Sequence, residues 1–379
     1  PTTLVVAGHV WNLGVSLAVF ANWFGFGRST PFLDFPAWLW PMLGLTYLMI
    51  VVWLVPMFQA RRTGQIYISE LFVIGASVWF PWIFATANIV IGDGAAGVMG
   101  AGVNAWFITN LIYFWFAPVA LAVAYYMIPK IAGRPIHSYP LAKFSFWILA
   151  ILAGWTGFNR FAGGPFPAWM PAIGGAASVL ILLAIIGTGA NQLLTLRGRT
   201  KLWAYSPSLR FTMLGSLMFV IYAVLAALSS TFTFGKSLQF SHFLIGLDTL
   251  AVYGFFSMTM FGAIYFITPR ITRCEWPSGN LIRFHFWLSA YGIGTIVLSM
   301  LLGGLAQGAA IGYWDRSFLT AVAIGKPWLA GRTVAWFLIA FANLFFFYQL
   351  ALMFAGKGRK SEGPTLMHVK PGEAKSAEA

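Results

Sequence analysis

The chain of 379 residues predicts an all-α integral membrane protein, a polytopic bundle of ten transmembrane helices, and three observations carry that expectation. Composition is the first: 59% of residues are hydrophobic, 8% are charged, and mean hydropathy is +0.79. A water-soluble domain of this size could not hide that much apolar surface, so the lipid bilayer is the expected solvent. The second is a series of apolar runs, each near the roughly 20 residues that a helix needs to cross about 30 Å of hydrocarbon. The third is a regular alternation of basic connections. Irregular spans are excluded because exposed backbone N–H and C=O groups find no partner in lipid.

The runs fall near residues 4–26, 37–59, 67–91, 103–129, 141–162, 172–195, 209–234, 239–268, 281–311 and 331–355. Trp38-Leu39-Trp40 opens the second run, and Arg61-Arg62 follows it. The third carries Trp79 to Trp82 and ends at Gly92-Asp93-Gly94. The fourth closes on Tyr125-Tyr126 before Lys130 and Arg134. Gly163-Gly164-Pro165 ends the fifth, and Arg197, Arg199 and Lys201 follow the sixth. Pro269-Arg270 and Arg273 stop the eighth. Aromatic residues at run ends suit interfacial belts, and Gly and Pro punctuate the loops.

All but six of the 23 Lys and Arg residues then fall on one face; the exceptions are Arg28, Arg160, Lys236, Arg316, Lys326 and Arg332. Ten crossings produce that segregation, whereas nine or eleven would mix the faces. By the positive-inside rule the basic face is cytoplasmic, with both ends of the chain on it. The expected location is a bacterial inner (plasma) membrane. The net charge of +14 therefore reflects topology, and nucleic acid is not an expected partner. Residues 1–356 read as one bundle. Residues 357–379, from Lys357 through Ser361, Glu362 and Pro364, read as a disordered cytoplasmic tail. The sequence opens on Pro1 with a run of full span length, which reads as a chain cut upstream instead of a signal peptide. A single cysteine, Cys274, excludes a disulfide framework and a multi-cysteine metal site. No internal repeat is visible, which weakens a transporter built from inverted halves.

Several strings together resemble subunit I of the heme-copper oxidases, closest to the cbb3 type. They are Val103-Asn104-Ala105-Trp106-Phe107, Ala124-Tyr125-Tyr126-Met127-Ile128-Pro129-Lys130, Gly133-Arg134-Pro135-Ile136-His137-Ser138-Tyr139, Tyr253-Gly254-Phe255-Phe256, Phe261 through Arg270, and Leu281-Ile282-Arg283-Phe284-His285-Phe286-Trp287-Leu288. The resemblance implies a bundle of twelve core helices, and so two further helices upstream of Pro1. It also implies two hemes and one copper, held by histidines, and work beside other respiratory oxidase subunits, including heme-c proteins.

Carried over position by position, the ligands are missing. The first copper histidine corresponds to Thr109, the paired copper histidines to Asn159 and Arg160, and the axial heme histidines to Leu247 and Thr249. The redox tyrosine corresponds to Phe219. Threonine, leucine or a cationic arginine cannot replace imidazole on iron or copper. No metal site and no cofactor are therefore expected for this chain. The histidines elsewhere, His9, His137, His242, His285 and His368, read as interfacial, loop or tail residues that share no helix face at membrane depth.

Asp248 is the strongest candidate for function, a carboxylate inside an apolar run where a charge costs at least about 2.5–3.5 kcal/mol on insertion scales. It is read either as a proton-relay or ion-pair member, with Arg160 as the candidate partner, or as a protonated acid bonded to a threonine or a carbonyl. For Arg160 the ordinary reading is snorkelling to the outer interface. Thr109, Asn110, Asn159 and Thr249 are expected to form a polar patch around Asp248. Three functions follow from this reading: a ligand-lacking paralogue with a structural or proton-conducting role, a working terminal oxidase, or a transporter using Asp248.

Overall fold

The structure is a computed structural model that describes residues 2–61, 64–92, 97–313, 315–358, 360 and 367. Among the described residues ten helices are long and apolar enough to cross a membrane: α1 Thr2–Trp23, α2 Ala37–Gln59, α3 Ile68–Gly92, α4 Gly97–Ala132, α5 Tyr139–Phe161, α6 Trp169–Thr195, α7 Pro207–Ser230, α8 His242–Thr272, α9 Gly279–Ile311 and α10 Phe318–Phe354. Each expected run has its helix. The largest departure is α10, which begins at Phe318 instead of near 331 and carries Pro327 in its interior. Apolar residues from Phe318 to Val322 extend the helical run, and packing against α9 holds it together across the proline. The Gly94 end of the third connection lies outside the described residues. So does most of the tail, His368 included; Lys360 pairs its backbone with Cys274, and the Met367 amide donates to the Tyr205 carbonyl.

Helix starts on the face that carries the basic loops are set by serine caps. Ser138, Ser206 and Ser278 each accept a hydrogen bond from the amide three residues on, at the heads of α5, α7 and α9. This satisfies one of the orphan donors of the first turn. Pro at the first or second helical position, Pro140 and Pro207, needs no donor there.

Tight contacts between helices come from small residues, because lipid offers no hydrophobic drive to press helices together. A Cβ on Gly215 of α7 would collide with the Thr259 hydroxyl of α8, and one on Gly262 of α8 with the Thr212 hydroxyl of α7. The two helices thus pack at close range. The main core runs through α3, α4, α7, α8 and α9, with Phe72, Phe107, Phe211, Phe219, Phe255 and Tyr265 fully buried.

Two irregularities shape the interior. Helix α5 unwinds after Leu152 into short 3-10 turns at Ala153–Trp155 and Phe158–Phe161. Between them Gly157 adopts φ +108°, and a Cβ there would strike the Trp106 backbone of α4; only glycine meets both demands. In addition, α4 widens to a π-helical turn at Ile112–Phe116, and α8 does so at Leu250–Ser257. Such bulges are rare and often mark functional positions.

Candidate functional site

The unwound end of α5 is pinned from several sides. The Trp106 indole donates to the Gly154 carbonyl (3.0 Å), and the Asn110 amide donates to the Trp106 (2.8 Å) and Thr156 (3.4 Å) carbonyls. The Gly157 amide donates to the Asn159 side-chain oxygen (2.9 Å), and the Gln239 amide donates to the Asn159 carbonyl (3.1 Å). These bonds satisfy backbone groups that the broken helix leaves open. They also fix where Arg160 starts.

Arg160 then reaches inward. Its guanidinium makes a bidentate pair with Asp248 of α8, at 2.9 Å to one carboxylate oxygen and 2.5 Å to the other. Both side chains are largely buried, 10% and 15% exposed. Tyr113, on the π turn of α4, and Tyr222 of α7 lie alongside, fully buried, with rings 5.9 Å apart. The expectation that Arg160 snorkels to the interface is thus overturned. A fork-shaped cation opposite a carboxylate is more stable paired than left single in a low dielectric.

The polar patch expected around Asp248 divides. Thr109 and Asn110 are buried on α4, but the Thr109 hydroxyl turns back to the Ala105 carbonyl (3.0 Å). Thr249 lies half-exposed and bonds the Ile245 carbonyl of its own helix (2.8 Å), away from the ion pair. Leu247 is buried in the main core. Phe219 stacks on Phe255 with ring centroids 4.0 Å apart, near Tyr222.

His285 lies in the second turn of α9, near the helix end where it was expected, and there it is fully buried, its Nδ1 sharing a 2.8 Å hydrogen bond with the Tyr265 hydroxyl. Phe211, Phe261 and Phe346 surround it, so α7, α8, α9 and α10 meet there. The Tyr113–Tyr222 pair and this Tyr265–His285 pair were not singled out from the sequence; an aromatic inside an apolar run carries no mark of its partner. On the face opposite the basic loops, Arg28 donates to the Phe35 carbonyl (3.0 Å) and to Asn88 (2.8 Å). Partial burial lowers its pKa from the usual arginine value, and Asp34 opposes that shift.

With this geometry in hand, the comparisons are specific. The family profile described as Cytochrome C and Quinol oxidase polypeptide I matches residues 2–357. The chain belongs to this family. Within the cytochrome c and quinol oxidase polypeptide I family it is similar to the cbb3-type cytochrome c oxidase subunit CcoN1 of Stutzerimonas stutzeri, 26% identical over 309 residues, which cover 79% of this chain and 65% of that one. It is similar also to a cytochrome c oxidase subunit 1 homolog of Azorhizobium caulinodans, 25% identical over 364 residues, covering 90% of this chain and 63% of the relative. The chain thus spans a little under two thirds of the length of these relatives. A heme-copper terminal oxidase dimer solved by cryo-EM shares the fold, with a TM-score of 0.72, 14% identity, and coverage of 98% of this chain and 74% of the other.

Members of the cytochrome c and quinol oxidase polypeptide I family normally bind hemes and copper, and the five positions assigned to the ligands do not suit either. Leu247 offers hydrocarbon, Thr109 and Thr249 spend their hydroxyls on their own helices, and the Asn159 oxygen is taken by the Gly157 amide. Arg160 brings a fixed positive charge, already neutralised by Asp248. Among the described residues no group of three or more His, Cys, Asp or Glu side chains is placed to hold a metal ion.

Proposed function

We propose that this chain is a ligand-lacking, non-catalytic member of the oxidase subunit I family, retained in a respiratory membrane complex for a structural role. One observation carries the reading. At one position where the family resemblance puts a metal ligand this chain puts the Arg160 cation, and Asp248, between two other such positions, satisfies it. A metal ion ties helices together through bonds from several ligands. Here a bidentate ion pair joins the broken end of α5 to α8 without one, and the Tyr113–Tyr222 pair packs beside it. The chain sits in a bacterial inner membrane with its basic loops and C-terminal end in the cytoplasm, beside other oxidase subunits that carry heme c.

A proton-conducting role has less support. Ser208, Thr212 and Ser216 line one face of α7, with Thr259 opposite on α8, but Thr212, Ser216 and Thr259 all donate to carbonyls of their own helices. Beyond Ser216 the Phe219–Phe255 stack separates that column from Tyr222 and Arg160. Asp248 as a transport carboxylate is disfavoured for a related reason: both of its oxygens are already taken by the Arg160 guanidinium.

The deciding measurement is heme and metal content of the protein purified with its native partners. Pyridine hemochrome analysis and copper stoichiometry are expected to assign no b-type heme and no copper to this chain. Stoichiometric heme or copper held by it would return the oxidase reading. Proton flux in vesicles that disappears in Asp248→Asn would return the conducting one.

A further inference from the structure

A second cation in the outer part of a membrane span, Arg332, has no ion-pair partner among the described residues. Among the described residues the ion pairs are Arg61–Glu70 and Arg160–Asp248, and neither involves Arg332 of α10. Its depth is set by neighbours. Gly325 packs against the His242 ring, at the first residue of α8, and Gly331 packs against Ser299 of α9. With a rise of 1.5 Å per residue, Arg332 lies roughly 10 Å further into the bundle than Gly325. Lys326 is exposed nearer the outer end of α10, whereas Arg332 is half-buried at the start of the apolar run 331–355, the depth of the headgroup region, where a cation suits an anionic headgroup.

The surroundings define what that anion is. Arg332 lines a groove of about 440 Å³ on the outer surface of α10, together with Leu329, Thr333, Trp336, Phe337 and Ala340. The Thr333 hydroxyl is already committed to the Leu329 carbonyl (3.0 Å). The wall is held in place: Trp336 stands edge-on to Tyr253, whose hydroxyl accepts a 2.8 Å bond from the Asn343 amide. Trp336 and Phe337 are both exposed on the outside of the bundle. The groove therefore offers one fixed cation able to bind two oxygens at once, an indole of the kind that favours headgroup depth, and apolar walls running toward the bilayer centre. A free inorganic anion would use the cation alone. A glycerophospholipid would use all three.

We propose that Arg332 and Trp336 seat the phosphate of one glycerophospholipid in the leaflet opposite the basic loops, with its acyl chains along Phe337 and Ala340. The lipid completes the charge balance of α10 as Asp248 does for Arg160. It is a binding site on the outside of the bundle, independent of whether the interior holds metal.

Native mass spectrometry of the protein released from mild detergent tests this by counting retained phospholipids. Arg332→Gln is expected to retain one phospholipid fewer per chain than the unmodified protein, Arg332→Lys to retain it with easier loss on activation, and Lys326→Gln to leave the count unchanged. Thermal midpoints measured in the same detergent separate a lost lipid from a misfolded chain; a count that falls only in a preparation with a collapsed transition would overturn the proposal. Equal counts in Arg332→Gln and the unmodified protein would overturn it too. So would displacement of the lipid by excess inorganic phosphate, which would make the site a free-anion site. Cross-links from this groove to a carboxylate-bearing helix of another subunit would replace the lipid with a protein partner.

Discussion

At the scale of single residues, the Arg160–Asp248 pair makes the sharpest prediction. Removing either partner strands a charge in a low dielectric, whereas removing both leaves an apolar contact. Arg160→Leu and Asp248→Val are each expected to lower stability by about 3–5 kcal/mol. The double replacement should recover most of that loss. Thermal unfolding in detergent, followed by tryptophan fluorescence, reads all three, and additive losses in the double variant would show that the pair is not a unit. The sequence named both residues and named their pairing, yet it ranked the pairing below snorkelling for Arg160. Hydropathy registers that a charge sits in an apolar run. It holds no information on what a neighbouring helix presents across the gap.

The Tyr265–His285 pair makes a second residue-scale prediction. Tyr265→Phe leaves the buried imidazole Nδ1 without its partner, at a cost of about 1–3 kcal/mol. His285→Leu removes the polar ring from its aromatic surround and should cost less than a stranded polar group of equal size. Comparison of the two unfolding midpoints checks the order.

At the scale of elements, the end of α5 is the part that decides the site. The sequence predicted a span over 141–162, and the structure has a helix that breaks inside it, because Gly157 lies against the α4 backbone at a positive φ. Gly157→Ala should cost about 3 kcal/mol or more, since strain and overpacking act together. It should also shift Arg160 off Asp248. Gly163→Ala is the control: its φ is +84°, but a methyl at that position would meet nothing within 4 Å, so about 1 kcal/mol is expected. If both variants unfold alike, the close approach to Trp106 is not what holds the turn. Runs of apolar residues revealed where each helix lies. They did not reveal that α5 changes to 3-10 turns or that α4 and α8 widen to π turns, because those departures are driven by contacts between helices distant in sequence.

At the scale of the whole molecule, ten spans put the basic loops on one face and Arg28, Lys236, Arg316 and Lys326 on the other. In a background with Cys274 replaced, cysteines at Arg134 and at Lys326 are expected to react with an impermeant thiol reagent from opposite sides of sealed vesicles. Labelling from the same side would break the ten-span topology. The same arrangement explains why family membership was legible from short strings: they lie at helix ends and helix contacts, where backbone geometry restricts the choice of residue.

By itself the sequence determined the solvent, the number and order of spans, the basic face and the family, since each depends on composition or on local spacing that lipid physics reads directly. Tertiary structure alone decided that Arg160 turns inward to Asp248, that Thr249 turns away, that His285 is buried against Tyr265, and that Arg332 finds no ion-pair partner among the described residues. Those outcomes depend on which side chains face one another across helices separated by tens of residues, and in a medium that cannot solvate charge, that facing decides whether a polar group is paired, buried or left for a lipid.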